Sequence, residues 1–417
     1  MLDIIDDLNY RGLIKDYSNE ESVKELLKTP QTIYCGFDPS ASSMHIGNFV
    51  MISILMRLQR AGHRIIALVG GGTGMIGDPS GKSKERSFLT EENVKANTQS
   101  IKNQLSKFLD FSDPSKGIIV DNYDWLSQLS IIEYLRDVAK YFSVNYMLGK
   151  DIVAGRLESG ISLTEFSYMT LQSYDFYSLF KKYGCRIQIG GGDQWGNLTA
   201  GLDYIKKIEG PDTKVECMTA HLITRSDGKK FGKSEEGAIY LDKKLVSPYK
   251  MYQFFYNQSD EDAIKYLKVF TFLTKEEIEK INKEHFEHLG QRIGQKALAY
   301  EVTKIVHGKD EADSAVKMSE ALFSNNFKEL NEEQIEELFS TMKVKIDNEL
   351  TLEDLLIHVK AASSKREARE FIKNGAISIN GEKSTDNLKL YSKNDALFGK
   401  YIIVKRGKKN YYLADLG

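Results

Sequence analysis

Thr32-Ile33-Tyr34-Cys35-Gly36-Phe37 runs into Asp38-Pro39-Ser40-Ala41-Ser42-Ser43 and then into Met44-His45-Ile46-Gly47-Asn48. The first six residues are mostly apolar or β-favouring and end at turn formers, so they predict a short buried strand. The next six have a loop composition. From Met44 to Arg60, the residues Met51, Ile54, Leu55 and Leu58 recur at helical spacing, and Gly62 ends the run. A strand, a turn and a helix in that order open a βαβ pattern, and the pattern repeats. Arg64-Ile65-Ile66-Ala67-Leu68-Val69 is a second buried strand, leading into glycines. Gly117-Ile118-Ile119-Val120 is a third, and Cys185-Arg186-Ile187-Gln188-Ile189 a fourth, entering Gly190-Gly191-Gly192-Asp193. Buried strands alternating with helices predict an α/β fold with a Rossmann-like, doubly wound parallel sheet. Ligands bind outside the carboxyl ends of such strands, where the polar and glycine clusters of this chain fall.

The 417 residues exceed one ordinary core. Residues 1–30 read as helical, with Leu8, Leu13, Val23, Leu26 and Leu27 as buried positions. Residues 1–225 are expected to form the Rossmann-like domain and 226–323 a lysine-loop and helical domain. Residues 324–350 are polar and acidic and read as a connector. Residues 351–417 carry a helix followed by short strands, a small α+β domain. A net charge of −2 excludes a uniformly basic protein, so any nucleic-acid site must be local. Residues 351–417 hold 13 Lys/Arg against 8 Asp/Glu, a local excess of the kind phosphate contacts need. Cys35, Cys185 and Cys217 are far apart and form no CxxC pair, which argues against a disulfide framework or structural zinc. The acidic N-terminus is unlike a signal peptide, and no uncharged apolar run nears the roughly 18 residues a membrane helix needs. A reducing cytoplasm fits these features best.

Four constellations carry chemistry. His45-Ile46-Gly47-Asn48 lies just inside the first turn of a helix, where unpaired N–H groups and the helix dipole suit phosphate. Alone, it reads more readily as an ordinary helix start with one surface histidine. Lys230-Phe231-Gly232-Lys233-Ser234 places two cations around a glycine, and alone it could be a solvated loop. Gly70 through Arg86 contains near matches to a dinucleotide fingerprint and to a phosphate loop. Asp78-Pro79-Ser80-Gly81 interrupts the first, and the second is one residue short. What survives is glycine backbone, a carboxylate at Asp78, and cations at Lys82 and Arg86. Finally, Tyr168, Gln172 and Asp175 are spaced i, i+4, i+7 and share one helix face. Asp193 and Gln194 add a carboxylate and an amide at a strand exit.

In this order the pieces resemble the class I aminoacyl-tRNA synthetases. His45 to Asn48 is similar to their HIGH signature, with Asn48 in place of the last histidine. Lys230 to Ser234 is similar to KMSKS, with Phe231 and Gly232 in place of Met and Ser. The Lys-Phe-Gly-Lys form resembles the bacterial-type tyrosyl-tRNA synthetases specifically. So do Tyr34 to Pro39, Ser167-Tyr168-Met169 through Asp175, and Gly192-Asp193-Gln194-Trp195-Gly196-Asn197. Ser364 to Arg369 and Gly375 to Gly381 resemble an RNA-binding module shared with a small-subunit ribosomal protein.

The resemblance implies a tyrosine–tRNA ligase. Tyr34 and Asp175 would hold the substrate phenol, and Tyr168, Gln172 and Asp78 the α-ammonium. His45 and Ser40 would contact the ATP phosphates. Gly36, Asp38, Gly47, Asn48, Asp193 and Gln194 would bind adenosine and the adenylate. Lys82, Arg86, Lys230 and Lys233 would neutralise pyrophosphate. Implied partners are L-tyrosine, ATP with Mg²⁺, tRNA(Tyr) and a second copy of the chain, with no tightly bound cofactor and no metal site. Apolar residues between Ile131 and Met147 could serve a dimer interface or the core. A nicotinamide dehydrogenase would explain the glycines but not the lysine loop. A non-catalytic RNA-binding protein would explain the C-terminal module alone. Against the tryptophan-specific relative stand Tyr34, Asp175 and the C-terminal module.

Overall fold

The computed structural model describes residues 3–81, 89–156, 160–226, 228, 231–234 and 237–417, with backbone alone for 151, 152, 233 and 234. They divide into two compact units, Met1–Ser247 with Phe254–Leu298, and Pro248–Gln253 with Ala299–Gly417.

The first unit is built on six strands: β1 (Ile14–Tyr17), β2 (Thr32–Phe37), β3 (Arg64–Val69), β4 (Gly117–Asp121), β5 (Cys185–Gly191) and β6 (Glu216–Ala220). Their order is β1-β6-β5-β2-β3-β4. All neighbours are parallel except β1, which runs antiparallel to β6 at the edge. From β2 the chain winds outward through β3 and β4, then returns to place β5 and β6 on the other side. The winding therefore reverses between β2 and β5, which opens a crevice at their carboxyl ends. Tyr34 on β2 pairs in register with Ile66 on β3 and Gln188 on β5.

Three helices bear on the crevice: α1 (Ile46–Arg60), α2 (Leu163–Tyr183) and α3 (Trp195–Glu209). Ser162 caps α2 by accepting from the Glu165 N–H, and Gly184 ends it in the left-handed region at φ +65°. Tyr34, Ile66, Leu68, Phe176, Leu179, Leu198 and Cys217 form one buried cluster between sheet and helices. Further along, α4 (Asp260–Phe270) opens on a Ser259 cap.

The N-terminal thirty residues differ from the all-helical expectation. Helices span Ile4–Tyr10 and Glu20–Leu27, but β1 lies between them. Ile14-Lys15-Asp16-Tyr17 is too short and too charged to announce a strand. It forms because β6 offers an open edge, and the Thr219 hydroxyl donates to Asp16 Oδ2 at 2.9 Å.

In the second unit, Tyr401–Arg406 pairs antiparallel with Asn410–Asp415 and with Ile377–Ile379. Alternation along Tyr401–Arg406 is strict: Ile402 and Val404 enter one cluster with Leu352, Leu355, Ala368 and Ile372, whereas Tyr401 and Ile403 enter another with Met318, Phe327, Ile335 and Phe339. The stretch 324–350 carries its own elements, among them a helix at Glu332–Phe339 and a strand at Lys343–Lys345 that pairs parallel with Asn410–Asp415. Among the described residues no helix is long and apolar enough to cross a membrane.

Candidate active site

A cleft of about 670 Å³ opens at the reversal point between β2 and β5. Tyr34 lies at its floor, 1 % exposed, its ring 5.3 Å from that of Phe176 on α2. The Tyr34 hydroxyl has no hydrogen-bond partner among the described residues. Asp175, 2 % exposed, faces the same cavity. Its Oδ1 accepts from Trp125 Nε1 at 2.7 Å and its Oδ2 from Asn122 Nδ2 at 2.9 Å. Burial raises the Asp175 pKa to about 7, although these two donors favour the charged form. Burial, followed by the Asp175 charge, also pushes the Tyr34 phenol well above its ordinary range.

One turn of α2 back, the Gln172 Oε1 is buried without a partner among the described residues. A further turn back, the Tyr168 hydroxyl donates to Asp38 Oδ2 at 2.8 Å, while Thr73 Oγ1 donates to Asp38 Oδ1 at 2.8 Å. The i, i+4, i+7 spacing thus sets a phenol, an amide and a carboxylate along one wall. On the facing wall Gln194 Nε2 donates to Asp78 Oδ2 at 2.7 Å, and Asn197 Nδ2 donates to Gln194 Oε1 at 3.1 Å.

The mouth is formed by the start of α1. His45 is the N-cap and does not lie inside the first turn as expected. Its Nδ1 accepts the Gly47 N–H at 3.0 Å, and Asn48 Oδ1 accepts the His45 N–H at 3.0 Å, a reciprocal capping box. In neutral His45 the ring proton therefore sits on Nε2, making that nitrogen a donor. Glycine at position 47 leaves room for the His45 ring, since an added Cβ would lie 2.8 Å from it and push it aside. Glycine at position 70 has a similar cause, since a Cβ there would meet the Asp38 carboxylate at 2.1 Å. That part of the glycine run receives a carboxylate.

The backbone of the lysine segment is stitched to this mouth. The Ile239 N–H donates to Gly232 O at 3.1 Å and the Ile46 N–H to Ile239 O at 2.8 Å, and His45 bridges Tyr240. A Cβ on Gly232 would stand 3.1 Å from Ile46 Cγ2. The two signatures, far apart in sequence, are neighbours in space.

The chain has relatives among known proteins. The family model for class I tRNA synthetases (W and Y) matches residues 26–324, and a tyrosine–tRNA ligase C-terminal domain model matches residues 333–414. A tyrosine–tRNA ligase of Bacillus cereus is 50% identical over 414 residues, 98% of this chain and 99% of its own. That of Bacillus caldotenax is 49% identical over 416 residues, 99% of each chain. The chain belongs to the tyrosyl-tRNA synthetases. Among solved structures, a C-terminally truncated mitochondrial tyrosyl-tRNA synthetase of Aspergillus nidulans superposes with a TM-score of 0.70 at 33% identity, over 78% of this chain and 95% of that one. As a tyrosyl-tRNA synthetase, this chain ligates tyrosine to tRNA with ATP as the activating substrate.

In this synthetase, Tyr34, Gly36, Asp38, Ser40, His45, Gly47, Asn48, Asp78, Tyr168, Gln172, Asp175, Asp193 and Gln194 all line the one cleft. Lys82, Arg86 and Lys230 lie outside the described residues, as does the side chain of Lys233. Sequence reading missed Thr73, Asn122 and Trp125, which hold the two carboxylates. It also missed Gln188, 1 % exposed, which lines the cleft with an unpartnered Oε1. A glutamine among the apolar residues of β5 was the available signal. Asn122 and Trp125 offered none, because their partner lies about fifty residues away.

Proposed function

We propose that the synthetase's cleft divides its work as follows. The phenol of tyrosine enters between Tyr34 and Asp175, and its α-ammonium meets Gln172, Tyr168 and Asp78. Gly36, Asp38, Gly47, Asn48, Asp193 and Gln194 hold adenosine and the forming adenylate. The tyrosine carboxylate, ionised at neutral pH, attacks the α-phosphorus. A bond forms from carboxylate oxygen to phosphorus, the bond to the bridging oxygen breaks, and pyrophosphate leaves with that electron pair. No general base is required, so catalysis is positioning and charge stabilisation. His45 Nε2 and Ser40 donate to the phosphates. Lys82, Arg86, Lys230 and Lys233 neutralise the leaving pyrophosphate, with Mg²⁺ arriving on the nucleotide. A terminal ribose hydroxyl of the tRNA then attacks the activated carbonyl and AMP departs.

The observation that carries this reading is the pairing at the floor: a fully buried, unpartnered Tyr34 hydroxyl beside a buried Asp175 held by two donors. A buried hydroxyl without a partner costs stability unless a ligand satisfies it. Replacing His45 by Ala is expected to slow adenylate formation and leave tyrosine affinity unchanged. A matching loss of tyrosine affinity would count against the assigned role.

The reading includes a homodimer in the cytoplasm. Ile131, Ile132, Leu135 and Val144 are all more than half exposed, which supports an apolar face for a second copy. Three buried free cysteines fit a reducing compartment. The C-terminal unit would meet the tRNA. Arg366 is exposed there, whereas Lys365 and Arg369 are paired with Asp354 and Glu353 at 2.7 Å each.

A further inference from the structure

We infer that α4 is a strut that sets the lysine segment against the start of α1, and that Asp262 is a positioning residue for adenylation. This rests on the reading of Lys233 given above. Asp262 is 3 % exposed, and its carboxylate accepts three hydrogen bonds from Ser226. The Ser226 N–H donates to Oδ1 at 3.0 Å and to Oδ2 at 3.2 Å, and the Ser226 hydroxyl donates to Oδ2 at 3.0 Å. One turn on, Lys265 Nζ donates to Thr224 O at 2.8 Å, and the Tyr266 hydroxyl donates to the same oxygen at 3.3 Å. The other flank of the segment is held by packing. The ring of Phe231 stands 4.5 Å from Tyr266 and 5.1 Å from Phe270, both on α4. One helix thus fastens the lysine segment before and after its first lysine.

The far end of α4 is tied to α1. Thr271 O accepts from Arg11 Nη1 at 3.0 Å and from Arg57 Nη2, and Lys268 O accepts from Arg11 Nη1 at 3.0 Å. Arg57 and Arg60 of α1 cover the Phe272 ring at 4.3 and 3.7 Å. Arg57 stands roughly 16 Å along α1 from Ile46, at 1.5 Å per residue. The backbone relay from Gly232 through Ile239 to Ile46 closes the third side. Helix α1, the strut and the lysine segment therefore form a frame, and the pincer on Ser226 is its one buried carboxylate joint to the segment among the described residues. Such a joint holds the segment's backbone against α4 without touching substrate, and this is how Asp262 acts on the rate.

The test uses the full-length enzyme and four variants: Asp262→Ala, Ser226→Ala, Lys233→Ala, and Lys233→Ala combined with Asp262→Ala. Single-turnover adenylate formation, equilibrium tyrosine binding and thermal melting are measured on each. Asp262→Ala is expected to slow adenylation on the order of tenfold, the effect of losing charge-assisted hydrogen bonds, with tyrosine affinity within about twofold of wild type. In the Lys233→Ala background the same change is expected to add less than about twofold, because both act through one group. Full multiplication of the two effects, or an unchanged rate in Asp262→Ala beside a slow Lys233→Ala, overturns the inference. An unchanged rate in Lys233→Ala alone overturns the lysine reading, and the inference falls with it. Should Asp262→Ala fail to fold, Ser226→Ala takes its place: it removes one bond and must slow adenylation with the same non-additivity, and a wild-type rate overturns the inference.

Discussion

On the proposed reading, the tyrosine phenol meets one neutral hydroxyl, of Tyr34, and one buried carboxylate, of Asp175, and the two should differ in worth. A neutral hydrogen bond contributes about 0.5–1.5 kcal/mol net and one to a charged group about 1.5–3. Tyr34→Phe should therefore cut the preference for tyrosine over phenylalanine by roughly 2–10-fold, and Asp175→Ala by roughly 10–200-fold, read as ratios of kcat/KM in pyrophosphate exchange. Asp175 also predicts a pH dependence. Its carboxyl ionises near 3.8 in ordinary surroundings and at about 7 in the folded chain, so between those values the folded state holds the extra proton. This group's contribution to stability is complete below about 4 and is lost as pH rises through about 7. The ionised form is the better acceptor for a phenol, so tyrosine affinity should rise across the same region with release of one proton. Trp125→Phe removes a donor that favours the charged form and should move the midpoint upward. A flat pH profile for tyrosine binding in wild type would contradict this assignment. Tyr168, Gln172 and Asp175 were legible in sequence because helical spacing puts them on one face. Thr73, Asn122 and Trp125 were not, because strand order brings them to their carboxylates and no local period records that order.

Among the elements, α1 shows how a signature works through its own backbone. His45 caps the helix and Gly47 makes room for the His45 ring. Gly47→Ala should force the ring aside, costing about 1 kcal/mol of cap and lowering the melting temperature. The same change should slow adenylation while tyrosine binding holds. Unchanged adenylation in that variant would mean the ring's position is immaterial. The strands β2, β3, β4 and β5 were readable because a parallel sheet covered on both faces needs continuous apolar runs. The edge strand β1 was read as helix and β6 passed unnoticed. Both are short and hold charged or polar residues, and their pairing exists only once the sheet is assembled.

For the molecule as a whole, the division of labour follows the cores. A cut after Asn348 would separate Phe327, Ile335 and Phe339 from Tyr401, Ile403 and Leu413, which share one cluster. It would also strand Lys343–Lys345 without its partner Asn410–Asp415. A cut after Ser324 removes Phe327, Ile335 and Phe339 together with their strand partners, leaving only Met318 and Ala321 of that cluster's buried residues behind, and is expected to keep adenylate formation while abolishing tRNA charging. Charging by the shortened chain would refute the role given to the C-terminal unit. The polar composition of 324–350 hid this, since a helix facing one shared cluster needs few apolar residues. The central claim is that one cleft both selects a phenol and activates it with ATP. Amino-acid-dependent exchange of pyrophosphate into ATP, run with all twenty amino acids on the wild-type chain, tests it most directly. Exchange with tyrosine far above phenylalanine and tryptophan is the predicted result; equal exchange with either, or none with tyrosine, would contradict it.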